Sequence, residues 1–198
     1  MATKAQSFLA IAARCEAEHN LSAAFDAYQN ALALEPDSLT VVEALASLAF
    51  RLNMWDTAEK FYAHLIAHSQ PDIETVCAYT ATLREQSRFD EAISLLKGLI
   101  TDHPGENRLW EGLGTILLAQ GDSETAVIFF NEALRLSPED LNARFNRGCA
   151  LMDLRQTEAG LDDLHYTADA FHSPENRASA AIAYAQACLS VGDLKTGW

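Results

Sequence analysis

Two histidines four residues apart, His64 and His68 in the stretch HLIAH, have the spacing in this sequence that comes nearest to a metal site. Residues at positions i and i+4 share one face of a helix, so the two rings can point the same way. A zinc hydrolase also needs a glutamate between the two histidines and a third ligand, and the sequence provides neither. We therefore interpret both as histidines on a solvated helix face, and we expect no metal and no cofactor.

The four cysteines, Cys15, Cys77, Cys149 and Cys188, are far apart in the sequence and form no Cys-x-x-Cys motif. This spacing predicts neither a zinc site nor a disulfide framework. The phosphate-binding Gly-x-x-x-x-Gly-Lys loop, the Gly-x-Ser-x-Gly nucleophile elbow and the Rossmann glycine pattern are also absent from the sequence. We therefore predict that these residues form no enzyme.

The 198 residues carry 28 acidic and 14 basic side chains, for a formal net charge of −14. Nucleic-acid affinity comes mainly from Lys and Arg that neutralise phosphates, so we expect no nucleic-acid partner. The acidic surface either favours a basic or neutral peptide partner or simply keeps the protein soluble. No apolar run is long enough for a membrane span, and Arg14 and Glu16 interrupt the apolar stretch near the amino terminus. These features predict a cytoplasmic protein.

The elements that would position such residues are indicated by a regular interval. Small residues recur every 34 residues and prolines stand near the same boundaries: Ala24, Ala58, Ala92, Ala126 and Gly160, with Gly197 37 residues later, and Pro36, Pro71, Pro104, Pro138 and Pro174. A small residue lets two helices approach closely, and a proline ends the second helix before the next begins. The interval predicts helical hairpins at 5–38, 39–72, 73–106, 107–140 and 141–177, with a partial sixth at 178–198.

The repeat at 107–140 shows the amphipathic pattern most fully. Its inward-facing residues are Trp110, Leu113, Gly114 and Leu117 in the first helix and Ala126, Phe130 and Ala133 in the second. This pattern resembles the tetratricopeptide repeat, a 34-residue helix-turn-helix unit. The resemblance covers nearly the whole chain. It implies a single all-α domain, a right-handed superhelical solenoid of about five full repeats and a partial sixth.

The fifth repeat departs most from the pattern, because Arg144 replaces the aromatic residue. Three extra residues around AFHSPEN are expected to lengthen the second helix of that repeat or the turn that follows it.

The resemblance also implies a concave groove lined by the first helix of each repeat. Its predicted binding residues are Glu43, Ser47, Arg51, Cys77, Arg84, Arg108, Glu111, Thr115, Asn142, Phe145, Asn146 and Cys149. Phe145 with Asn142 and Asn146 is the best candidate patch, because an aromatic anchor beside amides suits an extended peptide. The alternative is that Phe145 only packs between helices. The predicted function is a protein–protein interaction scaffold that binds a peptide or protein segment in this groove.

The end of the sequence leaves three explanations open. A turn at Gly192-Asp193 begins a second helix that stops at Trp198, which has no further repeat to pack against. The chain is a fragment, or it self-associates through this C-terminal face, or Trp198 folds back. The Gly-Asp-x-x-x-Gly-Trp ending resembles bacterial proteins in which such an array precedes a glycosyltransferase-like domain. The alternative functions are therefore the substrate-recognition arm of a longer enzyme and a self-assembling array.

Overall fold

The computed structural model describes residues 3–69 and 72–190, and throughout these residues it shows α-helices joined by short turns. The helices are α1 Lys4–Ala17, α2 Leu21–Leu34, α3 Leu39–Arg51, α4 Trp55–His68, α5 Ile73–Glu85, α6 Phe89–Asp102, α7 Asn107–Gln120, α8 Ser123–Leu136, α9 Leu141–Asp153, α10 Thr157–Ala170 and α11 Pro174–Ser190. The predicted all-α fold class is confirmed. Gly192, Asp193, Gly197, Trp198 and Pro71, on which part of the sequence analysis depends, lie outside the described residues.

The chain divides into two compact units, Met1–Arg88 and Phe89–Trp198. In the first unit α1 packs on α2 and α3 packs on α4, while α2 also contacts α3 and α4 contacts α5. In the second unit each helix from α6 to α11 packs on its neighbour in the chain, and α9 also contacts α7 and α11. Each unit is therefore a stack of helices joined by tight turns. The repeat boundaries themselves remain a sequence-based prediction.

The turns that follow α1, α3, α5, α7 and α9 share one backbone geometry. Each contains one residue with positive φ, at His19, Asn53, Ser87, Gly121 and Arg155, and these positions are spaced by 34 residues. The next N–H then bonds back to a carbonyl near the helix end, as Asn20 does to Cys15 at 2.8 Å and Asp122 to Leu117 at 2.9 Å. This bond satisfies a carbonyl that the ending helix leaves without a partner. One of the five positions is a glycine, so the other four hold a side chain in a left-handed conformation that favours glycine.

Side-chain size governs how closely the helices of the second unit approach. Phe130 is fully buried, and a Cβ placed on Gly114 would lie 2.7 Å from its ring. Gly148 faces Leu164 in the same way, with a Cβ distance of 3.0 Å. Ala126 is also fully buried. The small residues of the 34-residue interval are therefore the places where large apolar side chains of a neighbouring helix fit.

The three extra residues of the fifth repeat lengthen α11. The prediction placed them in α10 or in the turn that follows it, but α10 has 14 residues, like α2 and α8, whereas α11 has 17. Pro174 is the first residue of α11, where its missing N–H removes no helical hydrogen bond. The prediction was wrong because this proline begins a helix instead of separating two. Residue 178, the predicted start of the sixth repeat, lies inside α11.

Candidate binding surface

Three predicted site residues of the first unit lie together on α3. Glu43, Ser47 and Arg51 follow one another at four-residue intervals, and all three are exposed. A cavity of about 350 Å³ runs between α3 and α5, with part of α4 behind it. Its lining residues are Glu43, Ser47, Phe50, Arg51, Tyr62, Asp72, Glu74, Thr75 and Ala78. The predicted residues on α3 therefore border a shared space of side-chain size. We call it the α3–α5 cavity.

Tyr62 belongs to the α3–α5 cavity although the sequence analysis treats its position as part of the core. Its side chain is only 5% exposed, yet it lines the cavity from α4. Burial raises the pKa of the Tyr62 phenol to about 12, and the negative charges of Glu43 and Glu74 act in the same direction. Tyr62 precedes Phe130 by two 34-residue intervals, so its hydroxyl is the chemical difference between the two positions. That difference was the available sequence signal for this residue.

Arg51 is oriented toward the first two helices. Its guanidinium Nη1 lies 3.9 Å from the Glu16 carboxylate, and the Tyr28 hydroxyl donates a hydrogen bond to that carboxylate at 3.0 Å. Burial raises the pKa of Tyr28, and the bond to Glu16 adds to this effect. Glu16 therefore joins α1, α2 and α3 at this end of the surface.

The remaining predicted residues of the first unit, Cys77 and Arg84, do not line the α3–α5 cavity. Both are half-buried on α5. The Arg84 Nη2 donates to the Glu85 carboxylate at 2.6 Å, within a pair that is largely solvated. An exposed pair of this kind contributes little to stability. Arg84 thus remains accessible but is engaged within its own helix.

In the second unit a hydrogen-bond network joins predicted residues on α7 and α9. The Thr115 hydroxyl donates to Glu111 Oε1 at 3.0 Å. The Asn146 amide nitrogen contacts the same carboxylate oxygen at 3.3 Å and the Thr115 hydroxyl at 3.2 Å. The three side chains are partly buried and form one polar patch, which we call the α7–α9 patch. The sequence predicted each residue for the surface but could not show that they bond to one another.

Phe145 is used in packing. Its ring meets that of Phe171, just after α10, edge to face at 6.4 Å between centroids. Phe145 is half-buried and Phe171 is buried. The alternative in which Phe145 packs within the fold therefore describes its main contact, and Phe145 is a weaker peptide anchor than the sequence predicts. Asn142 and Arg108 are exposed near the starts of α9 and α7.

Cys149 lies beside a separate cavity of about 330 Å³ that Leu164 and Ala187 also line. Burial raises the pKa of its thiol from an ordinary 9.0 to about 11, and Asp153 adds to the effect. Because the thiolate is the nucleophile, we expect iodoacetamide at pH 8 to alkylate Cys149 about a hundredfold more slowly than an unperturbed thiol. The rate should rise with pH until about pH 11. Peptide mass spectrometry with Cys149→Ser as a blank measures it. Alkylation at the rate of a free cysteine peptide at pH 8 would contradict this assignment.

The histidine pair lies on an exposed face of α4, as predicted. The rings of His64 and His68 stack at 4.2 Å between centroids, and His68 Nδ1 lies 2.9 Å from the His64 carbonyl oxygen. Within residues 3–69 and 72–190, no group of three or more His, Cys, Asp or Glu side chains is arranged to hold a metal ion. The pair thus interacts with itself and with its own helix.

The fifth repeat replaces an aromatic pair by an ion pair. In the fourth repeat Trp110 stacks on Phe129 at 5.8 Å, and its indole nitrogen donates to the Pro104 carbonyl at 2.9 Å. Thirty-four residues later, Arg144 and Asp163 occupy the two positions. Arg144 Nη2 donates to the Pro138 carbonyl at 3.0 Å, so it keeps the backbone contact of the tryptophan.

Asp163 is the acceptor that makes this exchange feasible. It is 5% exposed and receives two hydrogen bonds from Arg147, at 2.7 and 2.9 Å. Arg144 Nη1 lies 3.5 Å from the same carboxylate, and its guanidinium also lies over the Tyr166 ring at 4.5 Å. A buried carboxylate is thus held by two arginines, one of them bidentate.

Comparison with known proteins supports the repeat assignment. A tetratricopeptide repeat family model matches residues 82–140. Protein FlbA of Caulobacter vibrioides is 40% identical over 172 residues, which cover 87% of this chain and 29% of FlbA. The chain therefore spans under a third of that relative. Within the described part of the chain, no helix has both the length and the apolar character that crossing a bilayer requires.

Two solved structures share the fold at low sequence identity. A thermophilic tetratricopeptide repeat protein of Thermus thermophilus has a TM-score of 0.72 and 17% identity, and the match covers 93% of this chain and 99% of that one. The APC/C hetero-tetramer Cut9–Hcn1 has a TM-score of 0.78 and 18% identity, with 98% of this chain and 38% of that one covered. The 34-residue interval, the stacked helices and these matches together identify the protein as an array of tetratricopeptide repeats.

Proposed function

We propose that this array is a scaffold that binds an extended segment of another protein along the exposed faces of its first helices. The observation that carries the proposal is the α3–α5 cavity, where three of the predicted residues border a space of side-chain size. The α7–α9 patch supplies a second polar surface with hydrogen-bonding groups already held in place. A preformed surface binds a peptide with little ordering of the receptor.

The relative length of FlbA supports a second role, in which this array is the recognition arm of a longer protein. The match covers 87% of this chain but 29% of FlbA. The more specific idea of a glycosyltransferase-like partner domain depends on the Gly-Asp-x-x-x-Gly-Trp ending, which lies outside the described residues. That idea, self-association through the C-terminal face, the absence of a nucleic-acid partner and the cytoplasmic location all stay predictions.

Peptide selection tests the scaffold function directly. A phage library of random dodecapeptides is selected on the immobilised 198-residue chain, and the enriched peptides are measured by fluorescence anisotropy. We expect the double variant Ser47→Arg/Asn142→Arg, with one bulky charged side chain on α3 and one on α9, to weaken binding at least tenfold. Both wild-type residues are exposed, so the substitutions obstruct the surface without disturbing the core.

The matched control is Ala63→Arg/Ile128→Arg, which adds the same two charges at exposed positions on α4 and α8. We expect this variant to bind the peptides within about twofold of wild type, because these side chains lie on second helices. Equal losses in the two double variants would place the site elsewhere. A library that yields no binder to the chain would count against the scaffold function itself.

A further inference from the structure

The α3–α5 cavity has a marked charge imbalance. Three carboxylates border it, from Glu43, Asp72 and Glu74, and Arg51 is the single basic side chain among its lining residues. The guanidinium of Arg51 is already near Glu16. An anionic group entering the cavity would meet more carboxylates than cations. The electrostatic field of the cavity therefore favours a cationic group.

Tyr62 provides a second and independent indication of a ligand. It is 95% buried, since 5% of its surface is exposed, and it still lines the cavity. Within the described residues its hydroxyl forms no hydrogen bond, in contrast to the Tyr28 hydroxyl, which donates to Glu16 at 3.0 Å. A nearly buried polar group without a protein partner needs water or a ligand to satisfy it. The phenol can accept a hydrogen bond from an N–H donor.

We propose that the α3–α5 cavity binds the side chain of a lysine or arginine from the partner segment, with its cationic group near the Glu43 and Glu74 carboxylates and the Tyr62 hydroxyl. This inference rests on the proposed scaffold function and specifies the chemistry that the first unit recognises. The four-carbon stem of lysine, or the stem of arginine, lies along the walls formed by Phe50 and Ala78. The charged end meets the carboxylates and the phenol.

The cavity can be tested with a probe much smaller than a protein. The chain is labelled with ¹³C in its tyrosine rings, and the Tyr62 signal is assigned from its loss in Tyr62→Phe. Nα-acetyl-lysine methylamide is then titrated, and its uncharged analogue Nα-acetyl-norleucine methylamide is titrated in parallel. We expect a saturable shift of the Tyr62 signal with the lysine compound, at millimolar concentrations suited to so small a ligand, and no such shift with the norleucine compound. The arginine analogue should behave like the lysine compound.

The carboxylates are tested with the double variant Glu43→Gln/Glu74→Gln. We expect its dissociation constant for the lysine compound to rise about fivefold, because two charge-assisted contacts become neutral. Asp26→Asn/Glu35→Gln is the matched control, since it removes the same net charge from exposed positions outside the cavity lining. Its dissociation constant should stay within about twofold of wild type. Equal weakening in both variants would mean that only the overall charge matters and would overturn the proposal.

Peptide selection separates this inference from the scaffold function. Peptides selected on the wild-type chain should be enriched in lysine and arginine, and those selected on Glu43→Gln/Glu74→Gln should lose that enrichment. Binders without basic residues, together with equal Tyr62 shifts from the lysine and norleucine compounds, would overturn the cation site while the scaffold function stands. A lysine-specific Tyr62 shift in a chain that selects no peptide would overturn the assignment of the cation to a partner segment.

Discussion

Replacing Phe130 with alanine is expected to lower the free energy of unfolding by about 3–5 kcal/mol. The ring is fully buried, and it fills the space opposite Gly114, where a Cβ would lie 2.7 Å away. Gly114 has no side chain that can expand into the vacated volume, so the variant keeps a cavity. Urea denaturation followed by circular dichroism at 222 nm measures the change.

Ile128→Ala is the control for Phe130→Ala on the same helix. Ile128 is 59% exposed, so its truncation should change the free energy of unfolding by about 0.5 kcal/mol or less. A Phe130→Ala variant that unfolds within about 1 kcal/mol of wild type would show that α7 and α8 can close the gap. In that case the tight contact at Gly114 would not be a source of stability.

The second large effect is expected from Asp163→Ala, at about 3–5 kcal/mol of unfolding free energy. The variant removes the carboxylate that accepts two bonds from Arg147 and lies 3.5 Å from Arg144. Both arginine side chains are about one quarter exposed, at 24% and 23% for Arg144 and Arg147. They would retain much of their desolvation cost without the charge that offsets it. The same urea denaturation assay measures the loss.

Two further variants show whether the loss comes from the buried ion pair. Asp162→Ala removes an exposed carboxylate next in sequence, so we expect a change of about 0.5 kcal/mol or less. Arg144→Trp/Asp163→Phe installs the residue types of the Trp110–Phe129 pair at the equivalent positions, and should recover most of the stability lost in Asp163→Ala. Losses of equal size in Asp162→Ala and Asp163→Ala would contradict a special role for Asp163.

The repeat architecture was predictable because packing imposes its spacing on the sequence. Ala126 and Gly160 must be small for two helices to approach, and Leu113 must be apolar because it is fully buried. These requirements recur every 34 residues, so the interval places the helices. The position of Pro174 was misjudged for a physical reason as well. Proline is compatible with the region after one helix and with the first position of the next, so its presence alone does not tell the two apart.

The candidate site was less predictable, because repeat register gives the direction of a side chain but not its bonding partner. Register placed Glu111, Thr115 and Asn146 on the surface, whereas their mutual hydrogen bonds depend on the spacing of α7 and α9. Tyr62 was assigned to the core because its ring occupies a core position. Its hydroxyl reaches the α3–α5 cavity only because three helices meet around it. Such details come from tertiary structure.

The left-handed residues in the turns after α1, α3, α5, α7 and α9 have an evolutionary consequence. Four of these five positions hold His19, Asn53, Ser87 and Arg155, and each non-glycine side chain accepts a steric cost of about 1 kcal/mol, least for asparagine. A lineage selected for maximal thermal tolerance would have replaced most of them with glycine. Their persistence indicates a protein maintained at a stability threshold, with reserve that mutation can exploit while its binding surface diverges.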